Sequence, residues 1–211
     1  MVEIKFLDIY KINDNCQILK STILEDLEYI FDNELSNEDI FIYYKKSCET
    51  IIIVIYGTSK HVIDMMIPSF KIKNVKQILK YLKNRYETTK EVYDKIKIKY
   101  PIQKQISLGH SLGGTLVSHF SCEKSIVYTI NKLAIKSDDN HLKELYNFRT
   151  YNDIPSILLL LFEKKNTINR STDINIIEML DSGENIIENI IEFFRKEHLL
   201  EHFKDIKINI P

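Results

Sequence analysis

Ser111 is enclosed by glycine: Gly109 stands two residues before it, Gly113 two after, and Gly114 adjoins, all within ISLGHSLGGTLVSHF from Ile106 to Phe120. The chain has only five glycines in 211 residues, below the usual share of roughly 7%. Placing three of them at one serine marks a backbone that other residues cannot follow. In a G-x-S-x-G turn the serine lies between a strand and a helix, and a side chain two positions to either side would collide within the turn. The hydroxyl is lifted off the sheet at a helix N-terminus, whose N–H groups suit a developing oxyanion. The chemistry open to such a serine is nucleophilic. Its oxygen can bond to an electrophile once a histidine takes its proton and a carboxylate orients that histidine. A glycine-rich turn without chemistry is the competing reading, but residue frequencies in this chain give on the order of 0.01 chance matches. His110, next to the serine, reads as packed or hydrogen-bonded support rather than as the base.

The neighbouring elements are those the turn requires. KQISL predicts a short strand running into the glycines, and Leu112, Leu116, Val117 and Phe120 give the following helix its core face. Upstream, IFIYYKK and TIIIVIY flank the polar SCE and predict a hairpin whose second strand is apolar enough to be buried on both faces. Apolar spacing predicts a helix over 18–33 and a long amphipathic helix over 74–99, ended by Pro101. SIVYTINKLAI predicts another buried strand, 141–146 a short helix, FRTY a strand, and 173–197 helical material. Strands alternating with helices call for a mostly parallel sheet flanked by helices, an α/β class, in a single domain spanning 1–211.

The formal net charge of −1 argues against nucleic acid as a partner. Cys16, Cys48 and Cys122 are odd in number and far apart, which fits neither a disulfide framework nor a metal knuckle and points to a reducing compartment. Glu3 and Asp8 interrupt what would be the apolar core of a signal peptide, and no apolar run approaches membrane-spanning length. A cytoplasmic location is the expectation. Asn169 opens an NRS acceptor sequence that has no meaning without secretion.

GHSLGG, with IIIVIYGTS upstream and RTYNDIPSIL downstream, resembles the class 3 lipase group of α/β-hydrolases over roughly Tyr43 to Phe203. The resemblance implies an α/β-hydrolase-like fold. It places an oxyanion donor on Thr58, after the buried strand, with the Leu112 N–H as the second donor. It also places the catalytic acid on Asp153 and the histidine on His198, which opens HLLEHF, with His202 as the alternative base. The order Ser111, Asp153, His198 is the one this fold uses, and Asp153 is expected to follow a strand beside the elbow strand, at the carboxyl edge where open α/β sheets place ligands. The implied activity is hydrolysis of lipid acyl esters or small esters, without a cofactor; a peripheral membrane contact would accompany a lipid substrate. The chain departs from the family pattern in having no Trp, in Val62, Ile63 and Asp64 after the oxyanion segment, in Ser69 before Phe70, and in YTIN after the next strand. KHVIDMMIPSF therefore reads either as a lid or as buried strand.

Two other readings compete. HLLEH also satisfies H-x-x-E-H, in which two histidines one turn apart hold zinc. Only nine residues follow His202, and none is Glu, His or Cys to complete the site, although Asp205 is present. The second is a catalytically silent α/β-hydrolase domain serving as an interaction scaffold, since fold does not fix function.

Overall fold

The computed structural model describes residues 1–12, 18–57, 72–101, 103–132, 141–150, 167–170 and 200–211. The chain opens with β1 (Val2–Lys5), α1 (Phe6–Ile9), a ribbon of β2 (Lys11–Ile12) and β3 (Ile18–Leu19), and α2 (Thr22–Asp26). Then follow β4 (Ile30–Phe31), β5 (Ile40–Lys45), β6 (Thr50–Ile55), α3 (Ile72–Lys99), β7 (Lys104–His110), α4 (Leu112–Phe120), β8 (Ile126–Ile130), β9 (Glu144–Thr150), β10 (Thr167–Arg170) and β11 (Lys207–Ile210). Seven of these strands form one sheet in the order β10-β9-β8-β7-β6-β5-β4. The pairs from β6 to β10 are parallel, and β5 and β4 extend the sheet antiparallel.

Register follows from sequence. All six residues of β6 are buried, as the run TIIIVI requires of a strand covered on both faces. The hairpin into it turns through a short 3-10 segment, Lys46–Cys48, ended by Glu49 in the left-handed region at φ 48°. On one face of the sheet, Ile51, Ile53, Ile55, Val127 and Leu145 pack beneath Val92, Tyr93 and Ile96 of α3 and Leu112, Leu116 and Val117 of α4. The other face carries Ile52, Val54, Tyr56, Ile106, Leu108 and Ile130 and is covered by both ends of the chain: Phe6, Ile9, Tyr10 and Leu24 with Phe203, Ile206, Ile208 and Ile210. Each such side chain adds about 1.5–3 kcal/mol when fully buried.

Three expectations need correction. The helix over 18–33 is instead β3, α2 and β4. Ser21 caps α2, accepting from the Leu24 N–H at 3.4 Å, Glu28 breaks the helix at φ 64°, and Phe31 packs edge-on to Phe41 and Tyr43 of the neighbouring strand. The helix over 141–146 is absent; β9 begins at Glu144 and buries Leu145, Asn147 and Arg149, the alternation of a strand rather than a helical stripe. The strand that precedes Asp153 is not beside the elbow strand, because β8 lies between β7 and β9. The crossover through α4 puts β8 directly against β7, displacing β9 by one position. Thr167–Arg170 adds a further strand, paired with β9 at the edge of the described sheet. The helical material over 173–197 and the segment 60–70 lie outside the described residues. Among the described residues no helix is long and apolar enough to cross a membrane.

Candidate active site

β7 ends at His110 and α4 begins at Leu112, so Ser111 alone makes the turn between them. Its backbone sits at φ 53°, ψ −125°, a conformation that non-glycine residues rarely adopt. Ser111 occupies the N-cap position, yet its side chain makes no capping bond. The strain, of order 1–3 kcal/mol, persists because neighbours over-determine it. The Ser111 N–H donates to the Ile130 carbonyl at 3.0 Å, tying the turn to the end of β8, and the Ser111 carbonyl accepts the first helical bond from Thr115 at 3.3 Å.

The glycines are explained by what surrounds them. A Cβ on Gly109 would lie 2.5 Å from the Gly113 carbonyl group, and one on Gly113 would lie 2.7 Å from the Tyr56 carbonyl oxygen and strike that of Ile55. The first turn of α4 is thus pressed backbone to backbone against both β7 and the end of β6. Gly57, one residue beyond Tyr56, also faces the serine: a Cβ there would stand 3.2 Å from Ser111 Cβ and 3.0 Å from the His110 carbonyl oxygen. The segment that leads into Thr58 therefore runs directly against Ser111. Leu112, 3% exposed, presents its N–H in the first turn of α4, where no helical acceptor exists.

Of the residues singled out in the sequence, Ser111 and Leu112 are brought together at the carboxyl edge of the sheet with Gly57. Thr58, Asp153 and His198 lie outside the described residues. His202 is half-buried in the 3-10 turn Leu200–Phe203, whose Phe203 is fully buried in the same layer as Phe6 and Tyr10. His110 packs as support: its ring lies edge-on to Tyr10, with centroids 6.2 Å apart. No cluster of potential metal ligands occurs among the described residues.

Two residues that sequence reasoning missed hold the end of β6. Tyr10 is buried, its ring 4.5 Å from that of Tyr56, and its hydroxyl accepts the Gly57 N–H at 2.9 Å. Burial raises its phenol pKa well above the usual value, so it stays neutral. Arg85, on α3 and 5% exposed, donates from Nη2 to the Tyr56 carbonyl at 2.6 Å and pairs through Nη1 with the Asp39 carboxylate. Burial lowers its pKa to about 10, which leaves it charged at neutral pH. Tyr10 has no distinguishing signal in the sequence. Arg85 has one, as the single arginine among the eight lysines of α3.

The arrangement offers one buried-edge hydroxyl on a strained turn, helix N–H groups beside it, and a second backbone segment held against it. That is a layout able to support attack on an acyl carbon. No protein-family model matches the chain, and no curated protein matches it by sequence. Solved structures do match. Lip2 lipase from Yarrowia lipolytica is 15% identical, with 75% of this chain and 71% of that chain covered and a TM-score of 0.41. A lipase from Rhizopus microsporus var. chinensis is 15% identical, covering 64% and 57%, with a TM-score of 0.40. A triacylglycerol lipase from Penicillium expansum is 17% identical, covering 68% of each chain, with a TM-score of 0.36. This chain spans less than two thirds of the length of the Rhizopus enzyme. All three TM-scores are low, and the α/β architecture rests on this chain's own mostly parallel sheet, its flanking helices and its strand–turn–helix unit at Ser111.

Proposed function

We propose that this protein is a serine hydrolase that cleaves carboxylic esters, lipid acyl esters among them, through an acyl-enzyme. The observation that carries the reading is the strained φ of Ser111 between a parallel strand and a helix, with Gly57 packed against its side chain. Strain at a polar residue on a sheet's carboxyl edge is retained where a side chain must be presented to a ligand.

In this reading Ser111 Oγ attacks the ester carbonyl carbon while its proton passes to His198, or to His202 if that is the base. The Leu112 N–H and Thr58 hold the tetrahedral oxyanion. The intermediate collapses as the protonated imidazole gives its proton to the departing alcohol, and water then repeats the sequence to release the acid. Asp153, emerging three residues beyond the carboxyl end of β9, orients the imidazole. The reading requires no cofactor. Hydrolysis of p-nitrophenyl esters of graded chain length by wild type, Ser111→Ala, Asp153→Asn, His198→Ala and His202→Ala tests it. The expected result is turnover in the wild type, its abolition at Ser111 and at one histidine only, and a strong loss at Asp153. Undiminished turnover by Ser111→Ala overturns the assignment.

A further inference from the structure

The three polar groups where the chain leaves β6 each have a partner from a different part of the fold. The Tyr56 N–H donates to the Asp39 carbonyl at 3.0 Å, the Tyr56 carbonyl accepts from Arg85 of α3, and the Gly57 N–H is held by the Tyr10 hydroxyl from the end of α1. The Tyr10 ring also lies edge-on to that of His110, the residue before Ser111, with centroids 6.2 Å apart. One tyrosine thus touches the ends of both β6 and β7. Gly57 spends its amide on Tyr10, which in the serine-hydrolase reading leaves Thr58 as the donor on this side.

We propose that Tyr10 is a positioning residue. Its hydroxyl fixes the chain leaving β6 against the Ser111 turn, with Arg85 holding the opposite side of the same peptide, so that an acyl oxygen meets its donors already aligned. This rests on the serine-hydrolase reading above. Pre-aligned donors act on the transition state more than on the bound substrate, so loosening them lowers kcat and leaves KM unchanged.

Tyr10→Phe removes the hydroxyl and keeps the ring packing on Tyr56 and Phe6. Wild type, Tyr10→Phe and Arg85→Lys are compared, well below their unfolding midpoints, for kcat and KM on a soluble p-nitrophenyl ester and for the rate at which a fluorophosphonate labels Ser111. The expected signature is a loss of roughly tenfold in kcat, with KM within about twofold and labelling slowed in proportion. Arg85→Lys, which keeps the charge and loses the fork, gives the same signature and decides the matter if Tyr10→Phe does not fold. A lowered midpoint with kcat and labelling rate unchanged makes Tyr10 purely structural and overturns the proposal, as does a change confined to KM. A folded wild type that neither hydrolyses the ester nor takes the label fails at the hydrolase reading itself, and the positioning role falls with it.

Discussion

The two ends of β7 both bury serines and treat them in opposite ways. Toward the amino end, around Gln105, Ser107 of β7 and Ser121, which follows α4, are buried and closed into a network. Ser121 Oγ donates to Ser107 Oγ at 2.8 Å, Gln105 Nε2 donates to both at 2.8 and 3.0 Å, and Tyr93 OH approaches both. At the carboxyl end Ser111 is 4% exposed, stands at positive φ and spends no hydroxyl bond on its helix. Burial alone therefore does not set the two apart. The difference lies in the surroundings: at one place neighbouring side chains satisfy the hydroxyls, and at the other glycines allow a turn that keeps a hydroxyl at the edge.

Replacing each serine breaks the comparison most sharply. Ser111→Ala is expected to lower ester turnover by about 10³-fold or more with little change in unfolding free energy, measured by denaturant titration beside steady-state kinetics. Gly113→Ala, whose new methyl would press on the Ile55 and Tyr56 carbonyls, should destabilise by about 3 kcal/mol or more; a variant as stable as wild type would mean that α4 can back away from β6. Ser107→Ala is the counterpart at the quiet end. It should cost about 1–2 kcal/mol of stability by stripping bonds from Gln105 and Ser121 and leave turnover within about twofold.

The amino-end network also has a pH signature. Burial, opposed by hydrogen bonds from Ser107 and Ser121, pushes Tyr93 up to about 12. The folded value lies above the unfolded value near 10, so the contribution is fully present below about pH 10 and is lost as pH rises toward 12. In that window one tyrosine reduces unfolding free energy by up to about 1.4 kcal/mol per pH unit, and Tyr93→Phe should make the alkaline decline shallower by that amount. The smallest effect sharpens the contrast in the other direction. Ser111→Gly relieves the positive φ and is expected to raise stability by about 1 kcal/mol over wild type while remaining inactive, as read by thermal and denaturant midpoints.

The elbow was legible in the sequence because Gly109 and Gly113 act by excluding every other residue, and the β5–β6 hairpin because six buried residues in a row leave a strand little choice. The stretch around Ile30 was not, since its apolar spacing satisfies a helix equally well; pairing with β5 decides the matter and leaves Ile30 itself 53% exposed. The position of β9 depended on which strand enters beside β7, a choice made by the crossover and not by any residue of β9. Tyr10 was illegible for a different reason. Its role depends on the hydroxyl meeting an amide 47 positions away in sequence, and an aromatic residue among apolar neighbours carries no mark of that.

The most direct test of the central claim is intact-mass analysis after fluorophosphonate treatment, with peptide mapping of the adduct, on wild type, Ser111→Ala and Ser107→Ala. A single adduct on Ser111 is expected in the wild type and in Ser107→Ala, and none in Ser111→Ala. A folded wild type that takes no adduct, or an adduct that persists in Ser111→Ala, would contradict it.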